Sequence, residues 1–489
     1  MTTELPRGWS DLPLESLANI TSGVGFPPVL QGRTAGDYPL AKVGDVSRAV
    51  RNGDGTIGAA GHWVDEADLK VLRATPLPAG SIVFAKIGEA IRQNFRALTT
   101  RSMIVDNNVM ALVPHRDVVD ERFLLHFTRM QDWYPLAVAT TVPSLRKSDL
   151  GALLVPLAPL NEQRRIVAKL EALQTRSRRA REVLDAVPPL LEKLRQSILA
   201  AAFRGELTKD WRAKQKDFDP ATELLKRICT ARRQKWESTE LAKLKSKGKP
   251  PTDDKWKAKY QDPETVDTTG LPALPDGWCW ASLESLTDAS RGIPYGIVLT
   301  GDAVADGVPT VRCGDIKDFD IALSGLKRVH LKIAAEFERT RLEGNEVLIA
   351  IRGTVGATAV ATEAMTGMNI SREVAMIPLL PGVASRYLMF CLASPEARAR
   401  VMKHVKGVAQ AGINLADLRV LPVPIAPERE QTALLAALED HLGACSRVET
   451  ERRSAAEAVT ALDRSMLARA FRGELVPQDP TDEPAEAML

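Results

Sequence analysis

The sequence predicts an α+β protein in which two mixed α/β domains form a tandem pseudo-repeat, separated and joined by two long helices. The first observation behind this fold class is an internal repeat. Ser197–Leu207 returns almost unchanged as Ser465–Leu475, a shift of 268 residues, and the opening Leu5–Trp9 matches Leu274–Trp278 at a shift of 269. Because this period is far longer than a solenoid unit, each copy must be of domain size.

The second observation is a change of pattern inside each copy. The front part has short apolar runs broken by Gly, Pro and Asn, and the back part has apolar residues at helical spacing. At 489 residues the chain has the length of roughly three domains. The predicted segments are a first mixed domain (1–155), a first helical region (156–207), a basic helical insertion with linker (208–270), a second mixed domain (271–420) and a second helical region (421–489).

Composition places the protein in an ordinary class. Hydrophobic residues make up 45% of the chain and charged residues 26%, as in soluble globular proteins. Met1–Pro6 lacks the layout of a secretory signal, and we find no apolar run near the ~20 residues of a membrane span. The five cysteines are scattered and include no Cys-x-x-Cys pair, which argues against a disulfide framework and a zinc site. We therefore expect a cytoplasmic protein.

The front parts contain matching strand and helix candidates. Ser81–Ala85 and Glu346–Ile351 have strand composition, as do Val109–Val113 and Val374–Ile377. Helical stretches follow at Arg122–Met130 and Ser385–Ala393. Each front part is thus expected to be a mixed α/β domain rich in loops.

The back parts are predicted to be helices of roughly 40 residues, about 60 Å long. Helices of this length need a partner, and the obvious partner of each is its own repeat. The residues predicted to pack, either between the helices or against a subunit, are Ile166, Leu170, Leu194, Ile198 and Phe203 in the first copy and Leu434, Leu438, Leu462, Met466 and Phe471 in the second.

Two local features qualify this prediction. Pro188-Pro189 interrupts the first helix, so we expect a kink or a split there. Gly205 and Gly473 follow the helices and fit the left-handed position that ends a helix.

The insertion between the copies is strongly basic. Residues 208–260 hold 16 Lys/Arg and 8 Asp/Glu, whereas the whole chain has a net charge of only +3. Pro220–Trp236 reads as an amphipathic basic helix, Leu241–Lys249 as a lysine-rich run, and Gln261–Gly270 as linker. The lysine-rich part either contacts phosphates or is a solvated tether.

Catalytic motifs are absent from the sequence. We find no P-loop, no His-Glu-x-x-His, no Gly-x-Ser-x-Gly and no cysteine–histidine cluster, and the six histidines are spread singly. The glycine pairs at 22–25 and 353–356 open no βαβ unit, so nucleotide binding there is disfavoured.

Recognition chemistry is present instead. In both copies a strand-like run leads into a basic, Gly-containing loop, and Arg, Lys and Asn are the side chains that contact phosphates and base edges. An ordinary solvated surface is the alternative for any single residue. The candidate DNA-binding residues are Lys86, Arg92, Asn94, Arg96, Arg101 and Lys147 in the first copy and Arg312, Arg352, Asn369 and Arg372 in the second. For Thr141–Lys147, a structural role at the junction between domain and helix is favoured over base contact.

Several of these motifs together resemble one family. They are the Leu-Pro-x-Gly-Trp openings at 5–9 and 274–278, the helix entry Pro156–Val167, and the twin Ala-Phe-Arg-Gly-Glu-Leu exits at 202–207 and 470–475. With the ending Gly473–Pro484, the chain resembles the specificity (S) subunit of type I restriction–modification systems over almost its whole length.

The resemblance implies an architecture and a function. The mixed domains would be target-recognition domains that each read one half of a split DNA sequence, and the two helices would pack as an antiparallel coiled coil that sets the gap. The chain itself would carry no catalytic site and no cofactor. Two methyltransferase subunits would supply S-adenosylmethionine-dependent methylation, and two restriction subunits would use ATP and Mg²⁺.

Two other functions remain open from the residues alone. One is a DNA methyltransferase or nuclease with its own specificity region, although the Asn/Asp-Pro-Pro-aromatic run that holds a flipped adenine is missing. The other is a helical scaffold that binds only proteins, which would leave two loop-rich domains without a purpose.

The two long helices are expected to set the distance between the two halves of the DNA target. If two domains face major-groove segments roughly 34 Å or more apart, helix length should set the spacer between the half-sites. We expect insertions or deletions within 162–203 to change the spacer and leave both half-sites intact, as read by methylation-site sequencing. Changed half-sites with an unchanged spacer would contradict this expectation.

Overall fold

The computed structural model describes residues 5–137, 142–215, 219–405 and 412–488. The chain forms two compact units, one of Met1–Ala186 with Arg452–Leu489 and one of Val187–Glu451. Each unit holds one mixed domain and a part of each long helix. The predicted α+β fold class is confirmed. In the described part of the chain, no helix combines the length and apolarity that crossing a bilayer requires.

The elements follow one another in a similar order in both copies. The first copy comprises β1 (Ser10–Pro13), α1 (Leu14–Leu17), β2 (Ala18–Ser22), β3 (Tyr38–Ala41), α2 (Val43–Asn52), β4 (Thr56–Ile57), β5 (His62–Val64), α3 (Glu66–Leu72), β6 (Ile82–Ala85), β7 (Arg96–Thr99), β8 (Ile104–Val105), β9 (Val109–Pro114), α4 (Glu121–Met130), α5 (Lys147–Gly151), β10 (Leu154–Leu157) and α6 (Leu160–Phe203). The insertion contributes α7 (Lys209–Lys214) and α8 (Ala221–Ser246). The second copy comprises β11 (Cys279–Ser282), β12 (Val308–Val311), β13 (Ile316–Lys317), β14 (Asp320–Ile321), β15 (Lys327–Val329), α9 (Leu331–Glu336), β16 (Val347–Ala350), β17 (Thr358–Val360), β18 (Asn369–Ile370), β19 (Val374–Ile377), α10 (Ser385–Ala393), α11 (Pro395–Lys403), α12 (Leu415–Arg419), β20 (Pro422–Ile425) and α13 (Glu428–Ala470).

Strand pairing shows that the two mixed domains share one topology. In the first domain β6 lies between antiparallel β7 and β9, and in the second β16 lies between antiparallel β17 and β19. Likewise β3 and β12 each pair with one antiparallel strand and one parallel strand. The strands predicted from composition are therefore confirmed as β6, β9, β16 and β19, and the predicted helices as α4 and α10.

A buried glutamine attaches the start of each long helix to its domain. Gln163 accepts the backbone N–H of Asp120 at 2.8 Å through its side-chain oxygen. Its amide nitrogen donates to the carbonyls of Ala158 and Val118 at 2.8 and 3.1 Å. Gln431 makes the equivalent three bonds in the second domain. Because buried polar groups must be hydrogen-bonded, this repeated residue fixes where each helix leaves its domain.

The preceding glutamates are buried as well, and their partners differ between the copies. Glu162 accepts the indole N–H of Trp9 at 3.1 Å, and burial raises its pKa. Glu430 accepts the Thr208 hydroxyl at 2.6 Å and pairs with Arg212 at 2.7 Å. The helix starts are therefore equivalent in position but not in their polar partners.

The end of each long helix closes the domain of the other copy. In the first unit the ring of Phe471 lies 4.9 Å from that of Phe123. In the second unit the ring of Phe203 lies 5.3 Å from that of Tyr387. Each mixed domain thus has a core completed by residues from the other half of the repeat.

The glycines after these phenylalanines have the predicted conformation. Gly205 and Gly473 have φ of +72° and +67°, the left-handed region. A Cβ at Gly205 would lie 2.4 Å from Pro275, and one at Gly473 would lie 2.4 Å from Pro6. Both the turn and the close approach of the domain opening therefore require glycine.

The two long helices pair inside each unit in opposite directions. In the first unit Arg165 pairs with Asp482, beyond the end of α13, and Arg181 pairs with Asp463, further back along the chain. In the second unit Leu191, Ile198 and Phe203 share a core with Leu434, Leu438 and Cys445. In the first unit the partner thus lies earlier in the chain as α6 proceeds, which is an antiparallel arrangement.

Three sequence predictions about the helices are wrong in part. The helix α6 continues through Pro188 and Pro189, so the prolines do not split it. Leu194 and Leu462 do not pack between the helices, since they remain 49% and 54% exposed, so for these two only the predicted packing against a subunit stays open. The predicted basic helix Pro220–Trp236 is longer than expected, since α8 runs from Ala221 to Ser246 and includes the first part of the lysine-rich run Leu241–Lys249.

The buried glutamine provides a stability prediction. Changing Gln163→Leu leaves one N–H and two carbonyls without their partner, which costs about 1–3 kcal/mol for a fully buried group, such as the Ala158 carbonyl, and less for the two part-buried groups. We expect the free energy of unfolding of the first unit to fall by about 3 kcal/mol or more in urea titrations. Gln174→Leu, on the same helix but only partly buried, is the control. An equal loss in both variants would contradict the role of Gln163.

A buried histidine provides a pH prediction. His126 on α4 is 3% exposed, and burial, with nearby Arg129 and Arg122, lowers its pKa to about 4. The unfolded chain binds this proton below about pH 6.5, so stability must fall as the pH drops from about 6.5 towards 4, by up to about 1.4 kcal/mol per pH unit. His126→Gln should flatten this slope in unfolding titrations at several pH values. The exposed His441→Gln is the control; an unchanged slope in His126→Gln would refute the assignment.

Candidate nucleic-acid interface

Strand pairing brings several loops of the first domain to one end of its sheets. The carboxyl end of β6 lies beside the start of antiparallel β9, and β3 ends beside the end of parallel β8. Backbone bonds join Lys86 to Asn108 and Asp106 to Ala41, at 2.8 and 3.0 Å. Leu145 donates to the carbonyl of Lys86 at 2.9 Å. We call the resulting surface, formed by 42–45, 86–88, 106–108 and 143–147, the first loop surface.

The second domain has an equivalent surface. Ile351, after β16, donates to the carbonyl of Glu373 at 2.8 Å, and Ile413 donates to the carbonyl of Ile351 at 3.1 Å. Ser371 donates to the carbonyl of Val311, at the end of β12, at 2.8 Å. We call the surface formed by 312–315, 351–354, 371–373 and 412–414 the second loop surface. Because the topology is shared, the two surfaces lie at equivalent ends of their domains.

The first loop surface carries four cations. Lys86 and Lys147 were predicted from the sequence; Lys86 is partly buried and Lys147 exposed. Lys42 was missed, and the exposed Arg146 lies in the segment Thr141–Lys147, for which the sequence favours a structural role. The Lys42 amine donates to Gln31 at 3.1 Å and lies 5.1 Å from the ring of Phe26. Thr141 lies outside the described residues.

A repeated short motif could have revealed Lys42. Lys42-Val-Gly-Asp45 and Arg312-Cys-Gly-Asp315 both follow a buried strand. In each, the aspartate accepts the backbone N–H of the cation, at 2.9 and 2.8 Å. This cap fixes the cation at the point where the strand ends, so the signal was a basic residue three positions before a capping acid.

The second loop surface gathers three of the predicted cations. Arg312 and Arg352 are exposed, and Arg372 is partly buried. They come from three loops of the chain and meet only through the strand pairing. Below them Cys313 donates to Glu373 at 3.3 Å, and burial together with this carboxylate raises the pKa of the thiol.

Two residues that were predicted to contact DNA are buried inside the protein instead. The guanidinium of Arg96 is 2% exposed, lies 3.9 Å from the ring centre of Trp133, and has its pKa lowered to about 9 by burial. It also donates to Asn94 at 2.7 Å. Asn369 is fully buried and bonds Thr340. Arg96 and Asn369 are therefore core residues, and Asn94 positions Arg96.

Two further predicted cations are exposed but engaged within the protein. Arg92 lies 3.7 Å from the ring centre of Tyr134 and pairs with Glu89 at 3.0 Å. Arg101 lies over Trp63 and reaches the carbonyl of Asp37, just before β3 begins. That is the end of β3 opposite the first loop surface, so Arg101 does not belong to it.

Comparison with known proteins identifies a family. A family model described as type I restriction modification DNA specificity domain matches residues 6–183 and 306–458. The chain is 26% identical to the specificity subunit of the Escherichia coli type I restriction enzyme EcoBI, over 97% of this chain and 88% of that relative. It is 23% identical to the Escherichia coli EcoDI specificity subunit, over 71% of this chain and 67% of that relative.

Solved structures support the same fold. A chain from a study of complex assembly and conformational transition of a type I R-M system has a TM-score of 0.65 at 20% identity, covering 96% of this chain and 99% of that one. The HsdS subunit from Thermoanaerobacter tengcongensis has a TM-score of 0.51 at 19% identity, covering 97% of this chain and 99% of that one.

Proposed function

Because the chain belongs to the type I restriction–modification DNA specificity family, we propose that it reads a bipartite, asymmetric DNA target with one mixed domain for each half-site. In this role it is the DNA-recognition subunit of the complex and carries no catalytic site of its own. The observation that carries the proposal is the pair of loop surfaces, which lie at equivalent ends of two domains with one topology and gather cations from separate loops.

The chemistry of the loop surfaces supports contact with duplex DNA. Lysine and arginine neutralise phosphates and also bond base edges in the major groove. The surfaces differ in their side chains, since Lys42 stands where the second domain has Arg312, and Asn107 stands where it has Arg372. Two equivalent scaffolds with different side chains read two different half-sites, which makes the target asymmetric.

Assembly with partner subunits is the other part of the proposal. Two methyltransferase subunits and two restriction subunits join the chain, in the cytoplasm, and S-adenosylmethionine, ATP and Mg²⁺ bind to them. Exposed apolar residues on the long helices support docking of the methyltransferases, with Leu190 and Leu194 in the second unit and, separately, Leu462 in the first. Leu190 and Leu194 lie four positions apart on one face of α6, so they form a small apolar patch, and it is contiguous apolar patches that mark protein interfaces.

Methylome sequencing of the host with and without this gene tests the function. We expect deletion to abolish adenine methylation at one motif consisting of two different half-sites with a fixed gap. Loss of a contiguous motif, or of no motif, would contradict the proposal.

The first loop surface generates a binding prediction. Replacing Lys86 and Arg146 by Ala should weaken binding of the methyltransferase complex to its target DNA and reduce the slope of log K against log salt by about 0.9 for each phosphate that is no longer neutralised. The control is Arg101→Ala, which also removes one positive charge but lies at the opposite end of β3. It should leave the slope unchanged. The same slope change in Arg101→Ala would mean that charge alone, not position, matters.

A further inference from the structure

Arg312 is held in one orientation by a neighbouring carboxylate. Its Nε lies 3.2 Å from one oxygen of Asp315 and its Nη2 lies 3.1 Å from the other. Asp315 is itself fixed, because its side chain is only 13% exposed and accepts the Arg312 backbone N–H at 2.8 Å. A long, exposed side chain on the second loop surface is therefore already ordered without DNA.

Among the described hydrogen bonds and ion pairs, this pairing leaves a particular set of Arg312 donors free. A guanidinium has five N–H groups in a planar fork, and the two bonds to Asp315 use one edge of it. The remaining Nη1 and Nη2 donors point along the end of the side chain. That end-on pair matches the O6 and N7 acceptors of guanine in the major groove. Because the side chain is already held in place, less conformational entropy is lost when it binds.

Stabilisation of the fold does not account for this arrangement. Exposed ion pairs between neighbouring residues add little to stability. The first domain keeps the same capping aspartate, Asp45, yet uses it to bond Arg48 and the backbone of Gly61, at 3.0 and 3.1 Å. The equivalent cation there is Lys42, which cannot form a two-donor fork. The oriented arginine is thus a property of one reading domain.

We propose that Arg312 reads a guanine in the half-site bound by the second domain, with Asp315 as the positioning residue. The inference rests on the proposed function and adds one base to the target. It assigns no base to Arg352 or Arg372, because neither arginine forms two bonds to one carboxylate among the described hydrogen bonds and ion pairs.

Binding of the methyltransferase complex to a library of duplexes, with each target position varied, tests the inference. Arg312→Lys keeps the charge and loses the fork, so it should reduce the preference for guanine at one position of the second half-site by roughly 5- to 150-fold. Preferences in the first half-site should not change. Arg328→Lys, on β15 near the opposite end of β12, is the matched control and should keep all preferences.

A second variant tests the positioning role. Asp315→Asn keeps an oxygen for the Arg312 N–H but loses the ionic fork. We expect a smaller loss of guanine preference at the same position and no loss of affinity for non-target DNA, because the variant removes a negative charge from the surface. Thermal unfolding of both variants should match that of the parent chain.

Three outcomes would overturn the inference. If Arg312→Lys binds every duplex sequence more weakly by the same factor, Arg312 contacts a phosphate and not a base. If Arg312→Lys keeps the full preference for guanine, Arg312 does not recognise that base. A parent chain whose second half-site contains no guanine would exclude it directly. If the parent complex has no sequence preference at all, the proposed function itself is wrong. This outcome differs from one in which the complex prefers a target sequence but Arg312 does not contribute to the preference.

Discussion

The fold depends on how each long helix is attached at its two ends. At its start a buried glutamine, Gln163 or Gln431, bonds three backbone groups of its own domain. At its end a phenylalanine and a left-handed glycine complete the core of the domain in the other copy. Neither half of the repeat therefore has a complete core by itself, and the two long helices become part of both domains.

These attachments lie away from the loop surfaces. Strand β9 begins at Val109, beside the first loop surface, and ends at Pro114, shortly before Val118 and Asp120 hold Gln163. The glutamine and the loops thus lie at opposite ends of one strand. Loop residues can then differ between the two domains without disturbing the helix start. The number of positions that separates matching residues of the two copies agrees with this. It stays at 268 in the helices, whereas in the front domains it changes from 269 at the openings to 265 between Gly88 and Gly353.

Sequence reasoning worked where a pattern repeats along the chain. The repeat predicted the two domains, and apolar spacing predicted the long helices and residues such as Ile166 and Leu438 in their cores. It failed where the answer depends on a distant partner. Arg96 looked like a surface cation, but it is buried against Trp133, which lies 37 positions later in the chain. Leu194 looked like a core residue because spacing identifies a helical face but not what covers it. Lys42 was missed although the motif that it shares with Arg312 is visible in the sequence, because only the structure shows that both motifs directly follow strands.

A structure of the chain bound to methyltransferase subunits and target DNA tests the central claim most directly. The account predicts that both loop surfaces enter major grooves, one on each half-site, while Gln163 and Gln431 keep their backbone bonds inside the protein. A complex in which either loop surface faces solvent, with DNA held by another part of its domain, would contradict it.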